Sequence, residues 1–124
     1  MDKIVAEFAG RILHAVTMGH MLHLQTRSFS EHMALNTFYD GIGDLADSFI
    51  ESYQGKYWLI EDYPDGFEPP SKDAVKEIRA FSDFVESTRH AKEFPQDSEL
   101  QNIIDEIQSL INSTLYKLRF LNQK

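Results

Sequence analysis

Two imidazoles, one amide and two carboxylates lie at telling distances in the first half of the chain: His23, His32, Asn36, Asp47 and Glu51. Imidazole nitrogen and carboxylate oxygen are the donors that suit Fe(II) when positions are left open for oxygen or peroxide. The steps from His32 to Asn36 and from Asp47 to Glu51 are both four residues, so on a helix each pair shares a face. At about 100° per residue, the four stay within roughly 100° of one another. Yet His32 and Glu51 are nineteen residues apart, which is roughly 28 Å of helix at ~1.5 Å rise, so one chain cannot bring both to one ion. The stripe is close to palindromic, His32 matching Glu51 and Asn36 matching Asp47 about a centre between Gly41 and Ile42. Two copies crossing antiparallel there would put the imidazoles of one chain against the acids of the other, twice. Gly41 and Gly43 would let the backbones approach at the crossing, and isologous dimers of this kind are the commonest oligomers.

The elements that must hold these residues follow from apolar rhythm. Leu35, Phe38, Ile42, Leu45, Phe49 and Tyr53 recur at three and four residues, which predicts a helix over about 30–54, opened by Ser28 or Ser30 and stopped at Gly55. Val5, Phe8, Ile12, Ala15, Val16, Gly19 and Leu22 predict a helix over 2–26, with His23 at the edge of its buried stripe. His20 makes an i, i+3 pair with His23 but reads as an ordinary polar side chain, and His14 as solvated or partner-facing. Arg27 to Ser30 is long enough only for a helical hairpin. Three prolines and a Pro-Asp-Gly turn make 55–70 a loop, carrying Tyr57, Trp58, Tyr63 and Phe67. These aromatics either staple the loop to the bundle or form a patch for a protein partner. Ser71 is the expected N-cap of a third helix over 71–92, with Ala74, Ile78, Phe81, Val85 and Thr88 inward. Ser98 and Gln101 suggest a capping box opening a fourth helix over 98–122. Its apolar positions from Leu100 to Leu121 repeat near heptad spacing, and Lys117, Arg119 and Lys124 suit its negative end. Two short links and one long one predict a single-domain, all-α, antiparallel four-helix bundle whose second-to-third connection crosses the bundle's length.

With that pattern written out, the segment resembles the Dps proteins, the mini-ferritins of the ferritin-like superfamily. They carry a His at the end of the first long helix and a second His early in the next. An Asp follows four residues on, then Asp and Glu fifteen and nineteen residues after the second His. The matching positions are His23, His32, Asn36, Asp47 and Glu51, and Phe29 and Phe38 fit as well. Asn36 stands where the family has Asp, and the gap from His23 to His32 is shorter than usual. The resemblance implies a ferritin-like fold and an iron site of ferroxidase type shared between two subunits of a homodimer, which in the family belongs to a larger shell. With Asn36 neutral, one negative charge is missing, so the expectation is a weaker site that oxidises Fe(II) slowly or simply holds a divalent ion. Asp40 and Asp44 are expected in support around it.

Composition bounds the alternatives. The chain has 124 residues, a formal net charge of −8 and no cysteine, so disulfides and thiolate metal sites are excluded. The acidity and the lack of a basic tail argue against direct DNA binding, which needs Lys and Arg on phosphates. Apolar runs are too short for a membrane span and the start does not read as a signal peptide, so a cytoplasmic protein is expected. Two readings without iron stay open. Short acidic Dps-like chains occur in phage genomes, and a metal-free bundle of this type would work as an interaction module in the host cytoplasm through the 57–67 aromatics or its acidic surface. A helical structural protein without the dimer would instead be a monomer in solution.

Overall fold

The computed structural model describes residues 2–121. Among them are four α-helices: α1 (Asp2–Gln25), α2 (Phe29–Lys56), α3 (Ala74–Arg89) and α4 (Ser98–Phe120). Each presents an apolar stripe inward, because only one face of an amphipathic helix can be taken out of water. Val5, Phe8 and Ile12 of α1 meet Leu35, Phe38, Ile42 and Phe49 of α2, Ile78, Phe81 and Val85 of α3, and Leu100, Ile104, Ile107 and Ile111 of α4, all buried. At the lower end Phe8 packs edge-on against Phe49 at 4.9 Å and Phe94 at 5.0 Å between ring centroids, geometry favoured by the ring quadrupoles.

The helices form a square in which α1 touches α2 and α3, and α4 touches α2 and α3. Local bonds give the directions. Lys56 at the end of α2 pairs with Asp97 just before α4. Arg89 at the end of α3 reaches Asp105 in the first turns of α4 at 2.6 Å. Gln25 at the end of α1 donates to the Ser71 carbonyl ahead of α3 at 3.0 Å. Every packed neighbour is therefore antiparallel, and α2 and α3 are parallel across the diagonal. The connection between them must climb the bundle, and it does so along α1. Ile60 and Glu61 lie beside Asp2 and Ala6, Pro64 sits against Gly10, Phe67 stacks on His14, and Ser71 arrives at Gln25. A β-carbon on Gly10 would come within 2.9 Å of Pro64 Cδ, so that glycine is the notch into which the crossover fits.

Several helix ends differ from expectation. The third helix is Ala74–Arg89, shorter than 71–92, and its N-cap is Asp73, whose side chain accepts from Lys76 N. Ser71 instead donates both its backbone N–H and its hydroxyl to Glu77. The second helix runs through Gly55 to Lys56, with Tyr57 N bonded to Tyr53 O, and of the glycines only Gly66 has positive φ. The crossover is thus 57–73 and not 55–70. Asp97, not Ser98, caps α4, and no side-chain bond closes that end, because the Asp97 carboxylate is taken by Tyr57 and Lys56. Leu121 is exposed, while Asn122 and Lys124 lie outside the described residues.

Candidate functional site

His23 closes α1 and His32 opens α2, so the hairpin turn brings them together. Their rings stack with centroids 3.6 Å apart and planes 19° from parallel. Each ring bonds the other residue's backbone: His23 Nδ1 to the His32 carbonyl at 2.7 Å and His32 Nδ1 to the His23 carbonyl at 2.8 Å. A carbonyl can only accept, so both Nδ1 atoms carry the proton. In the neutral rings both Nε2 atoms then hold bare lone pairs, and a second-sphere bond of this type is what orients a ligating histidine.

Around this pair stand groups that spacing alone did not assign. Tyr39 meets the His23 ring edge-on at 5.3 Å and stacks on His20 at 4.4 Å. Its hydroxyl donates to Asn36 Oδ1 at 2.9 Å, and Asn36 Nδ2 donates to Asp40 at 3.3 Å. The Asn36 carbonyl therefore accepts from Tyr39, and its amide meets Asp40. His20 is less ordinary than its i, i+3 spacing suggested, since it carries one wall of the Tyr39 stack. Tyr39 is seven residues beyond His32, two helical turns along the same face, and that is the signal which could have found it.

Asp47 and Glu51 project from α2 as exposed carboxylates, about four turns further along the helix than His32. Among the described residues no three His, Asp or Glu side chains come together as a metal site requires. The two glycines between the halves have neighbours inside the bundle. A β-carbon on Gly41 would come within 2.9 Å of Leu110 of α4, and one on Gly43 within 3.8 Å of Val16 of α1. Gly41 thus accommodates an intramolecular close approach.

The crossover aromatics divide. Tyr57 donates to both carboxylate oxygens of Asp97 at 2.8 Å, and Lys56 pairs with the same group. The Lys56 and Tyr57 bonds hold the Asp97 carboxyl below its ordinary value, and bonding to Asp97 raises both Lys56 and Tyr57. Phe67 stacks on His14 at 4.4 Å, so His14 is neither simply solvated nor free. Burial depresses the His14 imidazole, partly opposed by a hydrogen bond with the Glu68 backbone. Burial raises the Tyr63 phenol. Trp58 and Leu59, by contrast, are 71% and 62% exposed.

The architecture is that of an all-α four-helix bundle with one long crossover, and among its described residues no helix is long and apolar enough to cross a membrane. The model of a family of unknown function (DUF5856) matches residues 23–118, and the chain belongs to that family. The matched span contains all five residues of the His–Asn–Asp–Glu pattern. The chain is also similar to the "Uncharacterized 14.6 kDa protein in mobD-ri intergenic region" of Enterobacteria phage T4. They are 30% identical over 116 residues, which is 90% of this chain and 85% of the phage protein. No solved structure matches it.

Proposed function

We propose that the protein is a Dps-like, ferritin-like homodimer with a divalent-metal site shared between chains, iron being the metal the pattern favours. The observation that carries this reading is the His23–His32 pair, both Nδ1 atoms committed to backbone carbonyls and both Nε2 atoms available. The topology supports it as well, since parallel diagonal helices joined by a bundle-length crossover are what a ferritin-like fold requires. The donor chemistry fits: two neutral imidazoles from one chain, and the exposed Asp47 and Glu51 carboxylates from another. Asn36, whose carbonyl accepts from Tyr39 and whose amide donates to Asp40, would add at most a neutral oxygen to the set. Fe(II) held there could pass one electron to dioxygen or peroxide and become Fe(III), while the chain's own residues position it and limit its charge. Four donors carrying two negative charges bind less tightly than a set with a third carboxylate. The test is calorimetric titration with Zn(II), and with Fe(II) under argon, on the wild type and on Glu51→Ala, alongside mass in solution. Saturable binding by a dimer that weakens about tenfold or more in Glu51→Ala supports the reading. A monomer, or no binding in either protein, removes it.

A second reading keeps the bundle and drops the metal: an interaction module of phage type, acting in the host cytoplasm, with Trp58 and Leu59 as its contact. Their exposure on an otherwise anchored crossover favours it, as does the phage origin of the T4 relative. Here Trp58→Ala would abolish partner capture with no change in melting temperature, and would leave metal binding untouched.

A further inference from the structure

A different part of the molecule holds a charge without a hydrogen-bond acceptor among the described residues. Between α1, α3 and the crossover lies a cavity of about 260 Å³. Arg11 enters it from α1, half-buried, its guanidinium 4.6 Å above the centroid of the Phe84 ring. No acceptor among the described residues bonds that guanidinium. Glu77 faces it from α3 and is felt electrostatically, but the two do not close to an ion pair. Glu77 cannot simply swing across, because one of its oxygens is held by Ser71 N at 3.1 Å and Ser71 Oγ at 2.7 Å. Arg11 thus lines a gap with N–H donors that no acceptor among the described residues uses, and Glu77 and Glu68 line the same gap with carboxylates. Half-buried, the guanidinium still meets water, and an anionic acceptor from outside the chain would replace that water with stronger, charge-assisted hydrogen bonds.

The charges at the gap select the guest. Arg11 contributes one positive charge, Glu68 and Glu77 two negative ones, so a simple anion would gain from one wall and be repelled by the other. A guest with a carboxylate at one end and an ammonium beside it satisfies both walls together. The apolar part of the lining, Met18, Phe67 and Phe81 beside the His14 ring, suits a short side chain. The volume lies below that of sites for drug-sized ligands, which points to a guest of few atoms. We propose that this cavity binds a free α-amino acid, its carboxylate on Arg11 and its ammonium between Glu77 and Glu68. Nothing in this depends on the metal reading, which concerns the last turn of α1 and the outer face of α2.

The experiment is an NMR titration of the full chain, following the ring signals of His14 and Phe67, with each of the common amino acids in turn. Each amino acid that binds is then compared with its amide, which lacks the carboxylate, and its desamino acid, which lacks the ammonium. Saturable shifts from at least one amino acid are expected, with both analogues weaker by about tenfold or more, the scale of one charged hydrogen bond. Arg11→Gln, checked by circular dichroism for an intact fold, should lose binding to the same extent. Three results overturn the proposal: no saturable shift from any amino acid, desamino acids binding as well as the parent compounds, or undiminished binding by folded Arg11→Gln. The analogue comparison uses the wild-type chain, so it decides the matter even if the variant fails to fold.

Discussion

A site split between two chains can be broken in each half separately and then rebuilt by mixing. One variant combines His23→Gln with His32→Gln; glutamine keeps an N–H donor for the carbonyls that the imidazoles now bond, so the hairpin turn retains its anchors. The other combines Asp47→Ala with Glu51→Ala, two exposed positions where alanine favours the helix. Within one chain His32 and Asp47 are roughly 22 Å apart and His32 and Glu51 roughly 28 Å apart along α2, against metal–ligand bonds of ~2.0–2.2 Å. No side-chain rearrangement closes a gap of that size, so any shared site must be intermolecular. In a two-fold dimer of wild-type chains there are two such sites. Each variant homodimer has none. A heterodimer, purified through a different tag on each variant, has one intact site built from the imidazoles of one chain and the acids of the other; its second site lacks both. The expected metal content, read by plasma mass spectrometry after loading with Zn(II), is therefore about half the wild-type value for the heterodimer and near zero for both parents. A heterodimer as empty as its parents would refute the reasoning, and so would a parent variant that loads like the wild type.

Two glycines give opposite signs under the same substitution. Gly19→Ala drives a β-carbon to within 2.8 Å of the buried Phe38 ring. Overpacking of about 1–3 kcal/mol then outweighs a helix-propensity gain of up to about 1 kcal/mol, and the thermal midpoint falls by several degrees. Gly55→Ala meets nothing within 4 Å in the last turn of α2, so it should stabilise by roughly 0.5–1 kcal/mol and raise the midpoint by a few degrees. Asp97→Asn removes the carboxylate on which Lys56 and Tyr57 converge. The Asp97 carboxyl is depressed in the fold, so its contribution is complete above its unfolded pKa of about 3.9 and fades as pH falls through the lower folded value. Denaturant melts should therefore separate wild type from Asp97→Asn at pH 7 and converge in acid; a gap that stays constant with pH would contradict the assignment.

The helices and their inward faces could be read from the chain because burial imposes a three-and-four rhythm on whatever does it, and Phe8, Phe38, Phe81 and Ile107 obey it. The long second connection could be read from Pro64, Gly66, Pro69 and Pro70. Caps were less legible. Ser71 and Asp73 are both good N-caps within three residues, and the choice fell to Asp73 because Glu77, a full turn downstream, captured the Ser71 hydroxyl. Gly41 signalled a close approach but not by what; Leu110 is distant in sequence and reaches it only once α4 is docked. Arg11 and His14 were invisible as a cavity because the residues opposite them, Phe67 and Glu77, come from elements whose packing no local pattern specifies.

The His23–His32 pair poses a sharper question, since a hairpin needs anchoring whether or not it binds anything. One of the two bonds has a plain structural purpose. α1 stops at Gln25, so the His23 carbonyl belongs to the last turn, where acceptors lack helical donors, and His32 Nδ1 supplies one. The reverse bond has no such purpose. The His32 carbonyl lies inside α2 and already accepts within the helix. Any short donor would have capped α1. A second imidazole, stacked on the first and tied to a carbonyl already satisfied, adds little to the turn's hydrogen bonding. What it does add is the ring stack itself and a second Nε2 that no described residue engages, the feature on which the proposed metal site rests.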